Sequence, residues 1–551
     1  MSTILLRRSA FAGALALGIA GNYLLRAPGQ PALNVLIWAV AGASLLVWRR
    51  HVRGDALRGE VLALLMLAVA FAAAMVWRAA EALTLMNLAL AAGLVTFAAA
   101  RGGVPWLRTS GVGDWAVGVV RVGLMMAAGP FGWIQRRPAA VEDRAPVPAW
   151  RVRTRLAVRG TVLAIPALIV FTALLGSADP VFARVLGNLV SIDIADILPH
   201  VALTAILAWL TLGYLRAFDT VPSRQVELPG SPGLAHGEVA VALWLVNALF
   251  LLFVAIQVRY LFGGGAVVEV TPGLGYAEYA RRGFFELVAV AALVIPLQLI
   301  ADWAAAPDMR RAAAPDIERA AAPDIERAAA PDIERAAAPE ADHAAVTFAD
   351  RAAVAGSDQA AEPAAKRDRK VLRVSALVQL VLLAGIIASA VYRMQLYQDA
   401  YGLTELRLYV SVFMGWVTFV LLWLGATVLR GRRQHFAVGA LASALLCAAT
   451  LNAVNPQALI ARTNVERAAA GRAYDPAYAA SLGADAVPTL VRLMPRLAAA
   501  DRCILGERLG RWTDEPVDDW RTWNYGEWRA RRAVRGVFLD PCPGTAAKAS
   551  A

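Results

Sequence analysis

Lysine is nearly missing from this chain: Lys366, Lys370 and Lys548 are the only three in 551 residues, so almost all of the basic charge is arginine. Cysteine is as scarce. Cys447, Cys503 and Cys542 are the full set, and no two stand at the CxxC spacing that zinc or dithiol chemistry uses. The five histidines, at 51, 200, 236, 343 and 435, are scattered, which argues against a helix-borne zinc site or a haem pocket and leaves no cofactor implied. Phosphate-loop, kinase and nucleophile-elbow signatures are absent as well. Charge is thin, at 17% of residues against 59% hydrophobic, and the mean hydropathy is +0.54. A soluble protein of that composition would need a core larger than its surface could cover.

What the chain has in quantity is long apolar runs. Stretches of the roughly 17–25 residues needed to cross a hydrocarbon core lie at about 9–25, 32–48, 61–77, 82–100, 159–176, 199–215, 238–258, 284–300, 371–392, 408–429 and 435–451. The sequence therefore predicts an all-α, polytopic transmembrane helical bundle of about eleven spans, followed by a small helical C-terminal extramembrane domain at 452–551. The first run lacks a convincing small-residue cleavage site and a second run follows at once, so the first helix is expected to be retained. The lipid bilayer is the first partner implied. Net charge is +12, but the arginines recur in the short segments between runs and form no single patch with interleaved aromatics. That balance reads as membrane topology, and no nucleic acid is implied.

Arg7 and Arg8 before the first run, RRHVRGDALR (49–58) after the second and RGRRQH (430–435) between the last two agree on a cytoplasmic N-terminus. Residues 111–134 are apolar enough for a twelfth span but carry Asp114 and Arg121, and a crossing there would export the arginine-rich stretch 136–155. The segment is expected to be an interfacial or re-entrant helix within a basic cytoplasmic region, 101–158. Eleven crossings place the last hundred residues outside the cytoplasm, where Cys503 and Cys542 would either form a disulfide or remain as two free thiols. Between the eighth and ninth runs, within a linker at 304–370, AAAPDIER repeats with prolines at 307, 315, 323, 331 and 339. Each proline interrupts the helical ladder and no apolar face accumulates, so a semi-rigid linker is expected there.

One group of residues could carry chemistry. The seventh run ends on QVRYLFGGG (257–265), with Arg259 and Tyr260, and the next begins with YAEYARRGFFELV (276–288), holding Tyr276, Glu278, Tyr279, Arg281, Arg282 and Glu286. Residues 278, 282 and 286 are spaced by four, which on a helix makes an acid, base, acid stripe descending into the membrane. Arg259 and Tyr260 also suit a plain interfacial anchor, and Glu286 a plain salt bridge with Arg282. On the same expected side fall Asp179 in GSADPVF (176–182), Asp399 in YRMQLYQDAYGLTELRLY (392–409), and Asn464 and Arg467 in IARTNVERA (460–468).

The stretches SADPVF, IQVRYLFGG, YAEYARRGFFEL, YRMQLYQDAYGLTELRLY and IARTNVERA, followed by DPAYAASLGADAVPTL, resemble in order a bacterial multi-pass membrane family, domain of unknown function 4173, over about residues 150–530. The resemblance implies a polytopic protein of the bacterial inner membrane, with no activity, cofactor or catalytic residue to carry over. Three functions remain open. Arg259, Arg281 and Arg282 could hold the anionic group of an envelope or lipid-linked metabolite that is bound or translocated, with Glu278 or Glu286 supplying specificity. Glu278, Glu286, Asp179 or Asp399 could instead be the base of a membrane-embedded transferase. A membrane scaffold or sensor could act through the C-terminal domain.

Overall fold

The computed structural model describes residues 3–54, 57–100, 111–134, 194–219, 234–262, 284–305, 341–514 and 519–535, with Thr154, Ala157, Leu175 and Asp179 singly. Among the described residues every element is a helix and no strand occurs. The membrane part comprises α1 (Thr3–Leu25), α2 (Leu33–Arg53), α3 (Gly59–Trp77), α4 (Glu81–Ala100), α5 (Val112–Ala128), α6 (Phe131–Ile134), α7 (Ile194–Asp219), α8 (His236–Phe262), α9 (Phe284–Ala304), α10 (Ala341–Tyr401), α11 (Glu405–Thr427) and α12 (Arg433–Val454). Then come α13 (Pro456–Ala469), α14 (Pro476–Ser481), α15 (Val487–Leu493), a 3-10 turn at Met494–Arg496, α16 (Ala499–Leu509), α17 (Arg511–Asp514), a second 3-10 turn at Trp520–Thr522, and α18 (Tyr525–Val534).

Among the described residues nine helices are long and apolar enough to cross a membrane, drawn from α2, α3, α4, α7, α8, α9, α10, α11 and α12. The protein is a polytopic helical bundle. The first predicted run is also helical, as α1, though its 23 residues include Arg7, Arg8 and Asn22 and it is not one of the nine. Of the run expected at 159–176 only Leu175 is described, and the repeat lies outside the described residues. One boundary differs: the helix expected from 371 begins at Ala341 and runs 61 residues. Alanine dominates the sequence just after Pro339, the last proline of the repeat, and alanine is the strongest helix former.

The chain divides into two compact units, Met1–Val226 with Leu445–Ala551, and Glu227–Ala444. In the first, Leu65, Ala68, Ala72 and Met75 are buried along one face of α3, at the spacing that a helix needs to turn a single stripe inward. Helices come together where side chains are absent. A Cβ on Gly213 of α7 would stand 2.3 Å from the Met125 carbonyl oxygen, so α5 lies directly on the α7 backbone there.

One end of this unit is bound by charge. Arg49, only 2% exposed, pairs with Asp219 at the end of α7 and donates to the Leu6 carbonyl at 3.2 Å and to Ser9 Oγ at 3.1 Å. Arg53 reaches the same carboxylate at 2.9 Å, and Arg50 donates to the Phe218 carbonyl at 2.8 Å. A carboxylate shared by two arginines, one of them buried, satisfies charges that neither lipid nor an apolar core could hold. Around this end α5 meets α4 at Phe97, whose ring lies 4.7 Å from that of Trp115, and Trp133 Nε1 donates to the Leu212 carbonyl of α7 at 3.0 Å.

The second unit packs Leu287 and Val294 of α9, Leu383 and Ile386 of α10, and Met414 and Val417 of α11 into one core, with Phe253 and Val254 of α8 against it. Polar pairs are buried in the same bundle. Asn247 Nδ2 donates to the Ser375 carbonyl at 2.8 Å, and Gln298 Nε2 donates to Gln379 Oε1. The α10–α11 hairpin is clamped by Arg407, which donates to the Gly402 carbonyl at 2.5 Å with its guanidinium 4.0 Å from the Tyr397 ring centre.

Candidate functional site

Seven of the twelve side chains expected to form a polar cluster are not among those described. Tyr276, Glu278, Tyr279, Arg281 and Arg282 lie outside the described residues, and Arg259 and Tyr260 sit in the last turns of α8 without described side chains. Glu286 stands exposed in the first turn of α9, and Asp399 is exposed near the end of α10. Those two belong to the second unit. Asp179, exposed, and Asn464 and Arg467, half-buried on α13, belong to the first. Cys503 is disulfide-bonded on α16 and Cys447 of α12 is a free thiol, whereas Cys542 lies outside the described residues. Among the described residues no group of three or more His, Cys, Asp or Glu side chains gathers as a metal site would require.

Two features of the first unit are built more fully. The first is a polar junction between the α3–α4 turn and the C-terminal helices. Asp485, in the loop before α15, accepts from the backbone amides of Ala79 and Ala80 at 2.8 and 3.1 Å. Arg78 donates to the carbonyls of Asn452 and Ala453 at 2.6 and 3.2 Å, placing a cation on the C-terminal turn of α12, where the unpaired carbonyls carry partial negative charge. Asn524 Nδ2 donates to the Met75 and Arg78 carbonyls at 2.8 and 2.9 Å, while its Oδ1 caps α18 by accepting from Glu527 N at 3.2 Å. Asn87 and Asn452 exchange amide hydrogen bonds at 2.9 Å in both directions.

The electrostatics follow from burial. Loss of water pushes the Asp485 carboxyl above its ordinary range, against the amide of Ala79, the charge of Arg78 and the amide of Ala80, which pull it down. Burial likewise lowers the Arg78 guanidinium, with Asp485 opposing it. A Cβ on Gly526 would stand 2.6 Å from Asp485 Oδ1, so α18 can lie this close only because that position has no side chain.

The second feature is a cavity of about 260 Å³ in the middle of the same helices, lined from α1, α2, α3, α4, α5 and α7. Its α2 wall carries a stripe of small residues, Ala39, Gly42 and Ala43 at i, i+3 and i+4, beside the larger Val35, Trp38, Leu45 and Leu46. The polar groups in the wall are turned back on the backbone. Trp38 Nε1 donates to the Leu17 carbonyl at 3.1 Å, Thr96 Oγ1 to Ala92 at 2.8 Å, Thr211 Oγ1 to Leu207 at 2.7 Å and the Tyr214 hydroxyl to Val95 at 2.7 Å. The interior is thus apolar, able to hold a hydrocarbon chain and without a group for bond-making chemistry. Sequence reasoning looked for charged and aromatic residues and passed over this feature. The signal was the stripe of alanine and glycine on α2, which marks room without saying what fills it.

These features define a multi-span helical membrane protein whose C-terminal helical domain is fastened to its membrane helices by buried polar contacts. The chain matches the family described as Domain of unknown function (DUF4153) over residues 61–315 and 344–493, well over half its length, and it belongs to that family. This corrects the resemblance to domain of unknown function 4173: the motifs quoted from residue 150 onward do not carry membership of that family, and the match begins inside α3, well before them. No curated protein and no solved structure matches the chain.

Proposed function

We propose that this protein binds an envelope amphiphile, an anionic or lipid-linked metabolite, with its hydrocarbon chain in the cavity of the first unit. The observation that carries the reading is the apolar cavity itself. In a bilayer, hydrocarbon chains are the most abundant solute able to fill it. The volume falls just below the roughly 300–1,000 Å³ of small-molecule pockets, enough for part of one chain. The reading rests on the cavity alone; Arg259, Arg281 and Arg282 as anion donors, with Glu278 or Glu286 for specificity, belong to the second unit and stand as a separate proposal from the sequence.

The α3–α4 turn favours a second reading. Helices α3 and α4 wall the cavity, and the turn that joins them holds the C-terminal domain through Asp485 and Arg78, so a chain that spreads these helices would move the docked domain. That is the geometry of a sensor. A transferase gains no support from either feature, since neither offers a free carboxylate beside a chain-sized space.

The test uses Gly42. It lines the cavity, and a Cβ there meets nothing within 4 Å, so Gly42→Leu starts its side chain in open space and takes up cavity volume; Gly93→Leu, on the exposed face of α4 with its Cβ position equally free of neighbours, is the control. Native mass spectrometry of protein purified from membranes should show a chain-bearing adduct on wild type and Gly93→Leu, and its loss in Gly42→Leu. An adduct retained equally by all three would sink the proposal.

A further inference from the structure

The second unit has a cavity of different character. It measures about 390 Å³, lies at the end where α8 begins, α9 ends and the α11–α12 loop turns, and mixes Leu372, Val428 and Leu429 with His236, Arg373 and Arg433. Its charges are unevenly matched. Asp302 is fully engaged by Arg433, whose Nε and Nη2 each approach a carboxylate oxygen at 2.6 Å in a two-pronged pair. Glu238, in the first turn of α8, accepts from the Ala235 amide at 2.9 Å. Arg373 has no carboxylate partner among the described residues, and it shares the cavity wall with Gln298, which is 3% exposed. Behind Gln298 the polar track continues. Gln298 bonds to Gln379, which is fully buried and whose Nε2 has no acceptor.

A cavity with one uncompensated arginine, a second arginine fixed in place by its carboxylate and an apolar side suits an anion joined to hydrocarbon. We infer that this cavity binds a phosphate group, with Arg373 as the principal donor and Arg433 held by Asp302 as the second. The recognised chemistry is a phosphate monoester or diester. Its source is either a phospholipid headgroup, whose glycerol and chains would follow Leu372 and Val428, or a soluble phosphate compound entering from the side of the membrane that carries these arginines. The site is distinct from the first unit's apolar cavity, so the two proposals fail separately.

The experiment places the full-length protein in dodecyl maltoside micelles, which carry no phosphate, either alone, with phosphatidylglycerol added, or with inorganic phosphate in the buffer, and measures the thermal midpoint and the bound lipid. Arg373→Gln removes the unpaired charge from an exposed side chain, and Arg472→Gln, on the C-terminal domain, is the control. Phosphatidylglycerol should stabilise wild type and Arg472→Gln, and bind Arg373→Gln roughly tenfold more weakly, the effect of losing one charge-assisted hydrogen bond. A response to phosphatidylglycerol alone assigns a lipid headgroup, and a response to inorganic phosphate as well assigns a soluble source. If neither ligand stabilises the protein, or Arg373→Gln responds as wild type does, the site is not a phosphate site.

Discussion

Asp485 makes contacts 406 and 405 residues back along the chain, to the amides of Ala79 and Ala80. Removing its side chain strands two buried donors, each costing about 1–3 kcal/mol. Asp485→Ala should therefore release the C-terminal helices, read as faster proteolysis of the tail in protein held in nanodiscs. Asp485→Asn should be milder, because both amides donate to one oxygen, Oδ2, which a carboxamide oxygen can replace. The pH dependence separates the two states of the wild-type group. Its folded pKa lies above the ordinary 3.8, so the folded protein binds the proton more tightly than the unfolded chain does. The stability from that proton is complete below the unfolded value and is lost as pH rises through the folded one. Docking should loosen as pH climbs from about 4 in wild type, and Asp485→Asn should lack that slope. An identical slope in both proteins would assign it to another group. None of this was legible in LGADAVP (482–488), since local spacing carries no trace of a partner on a distant turn.

At the scale of elements, local signals served well wherever the chain's own neighbours make the structure. Asp475 followed by Pro476 predicts a helix start, and Asp475 caps α14 by accepting from Tyr478 N at 2.9 Å. The long spans were readable because each carries its hydropathy within itself. The Asn455–Pro456 joint between α12 and α13 was readable only in part. Proline at the first helical position is a known start, and Asn455 Oδ1 accepts from Ala458 N at 3.1 Å as a cap should. What the sequence concealed is that Asn455 is the one non-glycine residue with positive φ among the described residues, at 58°, with Nδ2 donating to the Asp485 carbonyl at 3.2 Å. Asparagine tolerates this left-handed conformation better than most residues. Asn455→Ala should cost about 1–2 kcal/mol for the backbone and about 1 kcal/mol for the cap, whereas Asn455→Gly should recover the backbone part. Thermal midpoints in the order wild type, glycine, alanine would support this division. A glycine variant as unstable as alanine would show that side-chain bonds account for the whole effect.

The predicted site fared differently from the fold because it depends on loops meeting, and Arg281 and Arg282 lie outside the described residues, whereas the cavities arise at positions such as Gly42 where side chains are small. Periodicity reports which residues face inward and not how much room they leave. For the whole molecule the decisive quantity is therefore the side of the membrane on which the C-terminal domain lies, since the envelope proposal needs it outside. Cys503 is disulfide-bonded and Cys447 is free, so Cys542 is the one partner that the chain itself offers, and a stable disulfide is expected in an oxidising compartment. In a Cys447→Ala background, a membrane-impermeant maleimide added to intact cells should leave the protein unlabelled until a reductant is applied. After reduction Cys542 should react, with Cys503 slower because it is only 8% exposed. That result would place the tail, and the Arg78–Asp485 junction with it, on the outer side. Labelling that needs cell lysis and no reductant would put the tail inside. It would add or remove one crossing before α12 and turn the proposed envelope site to face the cytoplasm.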